Sequence, residues 1–518
     1  MSLARRISTV GGFTLLSRVF GFVRDMLIAR YLGAGMASDA FFIAFKLPNF
    51  FRRLFGEGAF TVGFVPLYAR FLGKDVTPES KRAADAFASQ VLSWLTPILI
   101  LFLIIMEVAM VPVMFGLSGG FEGDTGKFNF AVELGRYTFP YLVLISLMTF
   151  FAGMLNAVDR FSAAAFAPVI LNIFMISALL FLGETTVEKA RWLAIAVSAS
   201  GGGQLLWVFV AARRAGLKVR LPMPKLSPEI RELFRVIGPA ALGAGIMQIN
   251  LLIDTLLAAR FLPEGSVSWL FYADRLNQLP LGVIGIAVGT VLLPGISRLL
   301  AGGDDAGAAR QQNRAIELTL LITLPAATAL ALIASPIIAT LFEREAFTSA
   351  DTAATAGALA VYALGLPAYV IAKALTPGYF ARQDTKTPVR FATVSLVINT
   401  GLNFALIWDF AHVGLAAATA IAAWANVAML YYGLKRRDAF SLTRRTWLAI
   451  GKSAVACGVM AAVLMAYLGY FGSMFEADGN LRIVHLVLLI IAGGVSYLVF
   501  AFALGAVRLG EIRQIMRR

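Results

Sequence analysis

Long apolar segments follow one another along the whole chain. Apolar runs of about 18 residues or more recur from end to end, and each is long enough to cross a bilayer as an α-helix. The segments between them are short, and the longest, around 213–229, has fewer than twenty residues. The pattern predicts an all-α polytopic membrane protein without a soluble domain. The fourteen predicted membrane-spanning helices lie at about 8–32, 37–70, 85–115, 131–157, 161–182, 190–212, 230–260, 267–299, 314–341, 352–380, 388–408, 413–434, 447–471 and 482–506.

The composition also indicates a membrane protein. Of the 518 residues, 59% are hydrophobic and only 14% are charged, whereas about 25% charged residues are usual in a soluble chain. The net charge of +15 does not indicate nucleic-acid binding, because most of the basic residues lie in loops. With the N-terminus in the cytoplasm, the cytoplasmic segments hold 29 lysines and arginines, and the opposite loops hold 3. Because basic residues mark cytoplasmic loops, both termini are predicted to be cytoplasmic.

The residues needed for metal or nucleotide chemistry are scarce. The single cysteine, Cys457, lies in an apolar run, and the two histidines, His412 and His485, are far apart in the sequence. These residues indicate neither a disulfide framework nor a thiolate metal site. The nearest fragment of a nucleotide-binding loop, Gly451-Lys452-Ser453, lacks the upstream glycine. We therefore expect no cofactor and no built-in ATPase.

The sequence contains an internal repeat. "ARYL" at 29–32 and "VPLYARFL" at 65–72 are matched by "ARFL" at 259–262 and "LPGISRLL" at 293–300, about 230 residues later. The offset spans six helices, so both copies run in the same sense, as in transporters built from parallel repeats. The alternative is chance similarity between short apolar segments. The repeat predicts an N-terminal lobe at 1–215, a C-terminal lobe at 216–440, and two extra helices within 441–518.

Charged residues inside the predicted spans concentrate in the first two helices of each repeat. An arginine or lysine at the bilayer centre costs about 2.5–3.5 kcal/mol on insertion scales and usually faces an interior cavity. Five of the six basic residues are arginines, whose planar fork suits phosphate and carboxylate. We therefore predict a central cationic cavity between two pseudo-symmetric six-helix lobes, for an anionic, phosphate-bearing substrate. The charged residues are Arg18, Arg24, Asp25, Asp39, Lys46, Arg52, Arg53, Glu57, Asp254, Asp274 and Arg275.

Other charged residues, and two members of this set, have a different interpretation. Arginines at span ends can extend to the membrane interface and act only as anchors, which we expect for Arg30, Arg70, Arg260 and Arg298. Asp25 and Asp274 each neighbour an arginine, so they are either ligand contacts or pairing partners.

The stretch "LPNFFRRLFGEGAF" at 47–60 places Arg52 and Arg53 side by side within an apolar run. Pro48 removes a helix hydrogen bond, and two glycines follow at 56 and 58. Irregular backbone is tolerated at membrane depth only where it is buried in protein or lines a cavity. The second helix is therefore predicted to bend or break here, which would let both arginines point inward.

A second set of polar residues offers oxygen ligands. Asp254 lies in helix 7, Asn399 and Asn403 share one face of helix 11, and Thr419 lies in helix 12. Oxygen ligands suit a hard cation such as sodium. The alternative is that these side chains hydrogen-bond between helices. Either sodium or the membrane potential is therefore a candidate driving force.

Three long stretches of the sequence resemble the MurJ/MviN family. They are "SRVFGFVRDMLIARYLGAGMASDAFFIAFKLPNFFRRLFGEGAF", "GSVSWLFYADRLNQLPLGVIGIAVGTVLLP" and "LTPGYFARQDTKTPV", beginning at residues 17, 265 and 375. The family consists of bacterial lipid II flippases of the multidrug/oligosaccharidyl-lipid/polysaccharide exporter superfamily. The resemblance implies an inner-membrane protein, which we expect to be a monomer among phospholipids. Its substrate would be lipid II, undecaprenyl-pyrophosphate-linked GlcNAc-MurNAc-pentapeptide, and its two C-terminal helices would hold the lipid tail.

The resemblance also assigns residues. The essential arginines of the family correspond to Arg18, Arg24, Arg53 and Arg275, with Arg52 beside them, and Asp39 is a further functional position. A cation-coupled multidrug antiporter of the same superfamily remains an alternative, although its cavity would be rich in acids and aromatics. An enzyme acting on a polyprenyl phosphate would need metal-binding carboxylates, and the adjacent pair at 304–305 is better explained as a solvated turn.

Overall fold

The computed structural model describes residues 3–53, 60–73, 75, 77–475 and 479–506. All regular secondary structure within these ranges is helical, which confirms the predicted all-α class. The chain forms two compact units, one of Met1–Ser268 with Arg344–Phe347 and one of Trp269–Glu343 with Thr348–Arg518. The lobe boundaries at 215 and 440 were drawn from the repeat, not from compactness, and they stay predictions.

The first unit contains ten helices in its described part. Its core holds an aromatic cluster in which Phe64 stacks on Phe60 and Phe87 and contacts Phe150, with ring centroids 4.9, 6.0 and 5.1 Å away. The helices are α1 Leu3–Leu32, α2 Met36–Arg52, α3 Thr61–Leu72, α4 Pro78–Val108, α5 Met110–Ser118, α6 Thr125–Thr138, α7 Tyr141–Ala157, α8 Ser162–Phe181, α9 Thr186–Arg214 and α10 Pro228–Phe261.

The second unit contains the remaining helices. The first three residues of α11 belong to the first unit and the rest of that helix to the second. In its core the hydroxyl of Tyr379 donates to the carbonyl of Leu430 at 2.8 Å, which fixes α14 against α15. The helices are α11 Ser266–Ala301, α12 Asp305–Leu332, α13 Ala334–Phe342, α14 Ser349–Phe380, α15 Lys386–Lys435, α16 Arg444–Phe471 and α17 Asn480–Ala503.

Many of these helices are apolar enough to span a membrane. In the described part of the chain, nine helical segments reach the length and hydropathy that a crossing requires. One of them, α15, has 50 residues and a non-helical residue, Ala411, with φ 47° and ψ −132°. This interruption falls between the predicted spans 388–408 and 413–434. The polytopic membrane class agrees with these observations, and the number fourteen stays a prediction.

The third and ninth predicted spans are each two helices in the structure. The residue four positions before Pro112 is Val108, where α4 ends, and the residue four positions before Pro336 is Leu332, where α12 ends. Proline cannot donate to the carbonyl four residues earlier, and its ring clashes there. The fourth predicted span likewise contains α6 and α7, which meet at Pro140. The predicted spans therefore do not each correspond to one uninterrupted helix, although Thr125–Ala157, which holds α6 and α7, still counts as a single segment long and apolar enough to cross a membrane.

Candidate functional site

Arg24 is buried inside the first unit. The side chain is 7% exposed, and its Nε and Nη2 donate to Oδ1 of Asp25 at 3.0 and 2.7 Å. Its Nη1 donates to Oδ1 of Asn172 on α8 at 2.9 Å, and the amide of Asn172 donates to the carbonyl of Ser17 at 3.0 Å. Asp25 is therefore a pairing partner of Arg24 in this structure, and the network ties α1 to α8. Arg18, on the same helix, is exposed.

Asp39 lies in the first turn of α2 and is 1% exposed. Its carboxylate accepts the backbone N–H groups of Gly265 and Ser268 at 2.8 and 3.0 Å and the hydroxyl of Ser268 at 2.7 Å. Its Oδ2 also accepts the ammonium of Lys127, on α6, at 3.0 Å. The N–H groups at the start of a helix carry partial positive charge, which a carboxylate stabilises. Asp39 therefore caps α11 and joins it to α2 and α6.

Gly265 makes this cap possible. Its φ of 94° lies in the left-handed region that favours glycine. This conformation orients the chain entering α11 so that two N–H groups meet one carboxylate.

The remaining charges of α2 lie towards its C-terminal end. The ammonium of Lys46 donates to the hydroxyl of Thr255 on α10. Nε of Arg52 donates to Oδ1 of Asn49 at 3.2 Å, and Arg53, the C-cap residue, is exposed. The bend or break was predicted for residues 47–60, and of these, residues 54–59, which include Glu57 and the two glycines, lie outside the described residues.

Arg275 belongs to the second unit, on α11. Its guanidinium lies 5.2 Å from the ring centroid of Phe271 and is half-buried. Its neighbour Asp274 accepts the amide of Gln278 one turn later. Because Arg275 and the four arginines of α1 and α2 belong to different units, a cavity shared by all five stays a prediction.

Three of the four proposed cation ligands form a hydrogen-bonded chain in the second unit. The amide of Asn403 donates to Oδ1 of Asn399 at 3.2 Å, and the amide of Asn399 donates to Oγ1 of Thr419 at 3.2 Å. Both asparagines are buried. Asp254, the fourth residue, is half-buried on α10 in the first unit. The bond from Asn399 to Thr419 joins the two parts of α15 on either side of Ala411, which supports a structural role, and binding of sodium stays a prediction.

The chain is similar to known proteins of one family along nearly its whole length. A family model described as "Lipid II flippase MurJ" matches residues 28–491. A protein of Rhizobium tropici named probable lipid II flippase MurJ is 41% identical, over 100% of this chain and 97% of that protein. A solved structure of lipid II flippase MurJ in an inward closed conformation has a TM-score of 0.77 and 28% identity, covering 95% of this chain and 97% of that one.

The chain belongs to the lipid II flippase MurJ family.

This membership confirms the resemblance found in the sequence. The MurJ family fold is also shared more widely. An inward-facing multidrug resistance MATE family transporter of the MOP superfamily has a TM-score of 0.67 at 17% identity, covering 83% of this chain and 98% of that one. At that identity the likeness concerns the fold alone, so it does not favour a multidrug antiporter.

Two residues that contact Asp39 were not predicted from the sequence. Lys127 is one of the three basic residues assigned to the loops opposite the cytoplasmic ones, yet it is 6% exposed, lies 4.6 Å from the ring centroid of Phe121 and pairs with Asp39. Ser268 was treated as part of an apolar span. The sequence contains one indication for Ser268, because it lies at the predicted start of a helix. The first backbone N–H groups of a helix have no acceptor within it and need one from elsewhere. The sequence contains no indication for Lys127, because its partner Asp39 is 88 residues away.

Proposed function

We propose that this chain moves lipid II from the cytoplasmic to the periplasmic leaflet of the bacterial inner membrane. The observation that carries the proposal is the match along the whole chain to a relative named as a probable lipid II flippase. The arginines on α1, α2 and α11 support it, because a guanidinium offers paired donors to a pyrophosphate. The step is translocation without bond making or breaking, so no residue is assigned a catalytic role.

Alternating access is the mechanism that we propose for this movement. Arg18, Arg24, Arg52, Arg53 and Arg275 would bind the pyrophosphate and peptide carboxylates within a cavity between two six-helix lobes. The capping of α11 by Asp39 is a set of short-range bonds around one buried carboxylate. Such a set has two discrete states, made or broken, which suits a switch between two conformations.

The finer organisation belongs to the same proposal. We place fourteen helices across the membrane with both termini in the cytoplasm, on the basis of the 29 to 3 distribution of lysine and arginine. The last two helices, α16 and α17, would hold the lipid tail, and the protein would work as a monomer among membrane phospholipids.

The membrane potential is the driving force that we favour. The substrate is a multiply charged anion that leaves a cell interior held at negative potential. Each negative charge that crosses the field contributes about 2.3 kcal/mol per 100 mV. In an alternating-access cycle the arginines stay near the midplane, so they do not cancel this contribution. Sodium coupling through Asp254, Asn399, Asn403 and Thr419 is the alternative source of direction.

Reconstitution tests the function. Purified protein in proteoliposomes receives labelled lipid II in one leaflet, and its appearance in the other leaflet is measured with imposed voltage and ion gradients. We expect protein-dependent transfer of chemically unchanged lipid II that stops when the potential is dissipated. Absence of transfer in oriented, folded protein would contradict the flippase proposal. A changed product would contradict simple translocation, and unchanged net transfer without potential or ion gradients would contradict the driving force.

A further inference from the structure

An apolar groove lies on the first unit, away from the arginines discussed above. It has a volume of about 550 Å³ and lies between α4, α7 and α9, within the range of about 300–1,000 Å³ that is usual for ligand sites. Its walls include Leu92, Phe151, Leu205 and Phe209. Leu206, at the same groove, is 63% exposed, so one side of the groove is open.

A nonhelical segment, residues 217–227, contributes Val219, Arg220 and Leu221 to the groove lining. It is held along α4 by three hydrogen bonds. The backbone N–H groups of Lys218, Arg220 and Lys225 donate to side-chain oxygens of α4 at 3.2, 3.1 and 2.9 Å. The indole of Trp94 donates to the carbonyl of Lys225 at 3.1 Å. The backbone of this segment is therefore fixed relative to the groove.

Arg220 is the charged residue of the groove lining. It is exposed, while Val219 and Leu221 beside it belong to the apolar lining. The nearby carboxylate of Asp85 is occupied by the N–H of Lys218 and the hydroxyl of Tyr68. The mouth of the groove thus combines an apolar channel with a guanidinium whose backbone is fixed.

We propose that this groove binds one acyl chain of an anionic glycerophospholipid, with the lipid phosphate on Arg220. Basic pockets between membrane helices are known to bind anionic headgroups, and the open side of the groove is lined by side chains that need apolar surroundings. The charge of the segment is complementary to such a headgroup, since residues 217–227 contain Lys218, Arg220 and Lys225 and no acidic residue. This site is separate from the proposed lipid II site, and the inference does not depend on flippase activity.

Two positions allow the apolar and ionic contributions to be separated. Gly202 lines the groove, and a Cβ added there meets no atom within 4 Å. Gly202→Leu therefore fills the groove without a clash at the point of attachment, and leucine is a better helix former than glycine. Gly116→Leu, also in open space on the first unit, is its control. Arg220→Gln removes the charge, and Arg231→Gln removes an exposed arginine outside the groove lining.

The experiment titrates the full chain in detergent with phosphatidylglycerol and with phosphatidylcholine of the same acyl chains. Bound lipids are counted by native mass spectrometry. We expect wild type to retain one phosphatidylglycerol in preference to phosphatidylcholine. Arg220→Gln should weaken phosphatidylglycerol binding about fivefold, as expected for one basic residue near an anionic headgroup, and leave phosphatidylcholine unchanged. Gly202→Leu should weaken both lipids, and the two controls neither.

The outcomes are distinguishable. Equal retention of both lipids by wild type would overturn the ionic half of the proposal. Unchanged binding in Gly202→Leu would show that the retained lipid lies elsewhere. Displacement of the retained lipid by equimolar lipid II would show that the groove is part of the substrate pathway and would overturn the assignment to a phospholipid. Gly202→Ala, which adds only one methyl group, should bind like wild type and reports on folding.

Discussion

Residues 36–72 and residues 266–301 correspond to each other in the predicted internal repeat, yet they differ in charge and in the spacing of their prolines. Residues 54–59 of the first region lie outside the part of the chain that the structure describes. The first region contains α2 and α3, and the second is the single helix α11 of 36 residues. Both contain two prolines inside helices, Pro48 and Pro66 in one and Pro280 and Pro294 in the other. The two regions therefore agree in the number of prolines inside helices.

The spacing of these prolines does differ. Pro48 and Pro66 are 18 residues apart, whereas Pro280 and Pro294 are 14 residues apart. The first region thus has four more residues between its two prolines, about one helical turn. The stretch between its prolines contains both adjacent arginines and Glu57, whereas residues 281–293 contain no charge. The comparison teaches that the two regions differ in charge where they differ in length, and that the charged region is the one in which we place substrate-binding arginines.

The largest effect is expected from Arg53→Ala in the first region. Loss of two charge-assisted hydrogen bonds to a phosphate, at about 1.5–3 kcal/mol each, should reduce lipid II transport about a hundredfold or more. Arg52→Ala should act in the same direction but less strongly. The measurement is flipping in proteoliposomes, with insertion checked separately.

Arg298→Ala is the matched control in the second region. Arg298 is exposed and donates to the carbonyl of Pro294 in its own helix at 3.4 Å. Transport should stay close to wild type. Normal transport by a correctly inserted Arg53→Ala variant would remove the functional distinction between the two regions.

Asp39→Asn tests the contact between the starts of the two regions. The change leaves Lys127 buried without its counter-charge, which typically costs about 3–5 kcal/mol. We expect a lower melting temperature in detergent and faster hydrogen exchange at the first turn of α11. The double variant with Lys127→Met should recover part of the loss, because it removes the uncompensated charge. Equal destabilisation in the single and double variants would contradict this account.

Arg275→Lys tests shape against charge in the second region. Lysine keeps the positive charge but replaces a planar fork by a single ammonium. Transport should fall about tenfold, as expected if one charge-assisted hydrogen bond is lost. Wild-type transport by the lysine variant would show that position 275 requires only positive charge.

Asp254→Asn tests ion coupling on α10, just before the second region. If Asp254, Asn399, Asn403 and Thr419 bind sodium, transport should rise a few-fold with sodium in wild type and lose that dependence in the variant. Transport that is insensitive both to sodium and to this substitution would leave the polar residues with a structural role.

Asp384→Asn, in the loop before α15 and outside both regions, should have the smallest effect, a slight change in stability. Hydrogen bonds from Thr387 and Arg437 hold the pKa of its carboxyl well below the usual range. Because the folded-state pKa is depressed, the stabilising effect is complete above the unfolded pKa of about 3.9 and is lost as the pH falls towards the folded value. Asp384→Asn should lower the melting temperature slightly at pH 7, and the difference should shrink below about pH 4.

Several properties followed from the sequence alone. Apolar length and low charge predicted the all-helical membrane class, because the bilayer requires helices of a minimum length whatever their packing. The motifs around the arginines identified the family, and adjacent residues predicted that Asp25 could pair with its neighbour. These features depend on residues that are close together in the chain.

Other properties were decided only by the tertiary structure. Asp39 meets Lys127, 88 residues away, and Ser268, 229 residues away, and no local pattern encodes those distances. Helices end before Pro112 and Pro336 but continue through Pro280. The proline has the same local chemistry in all three cases, so the outcome depends on how neighbouring helices pack and satisfy the backbone groups that it leaves without hydrogen bonds.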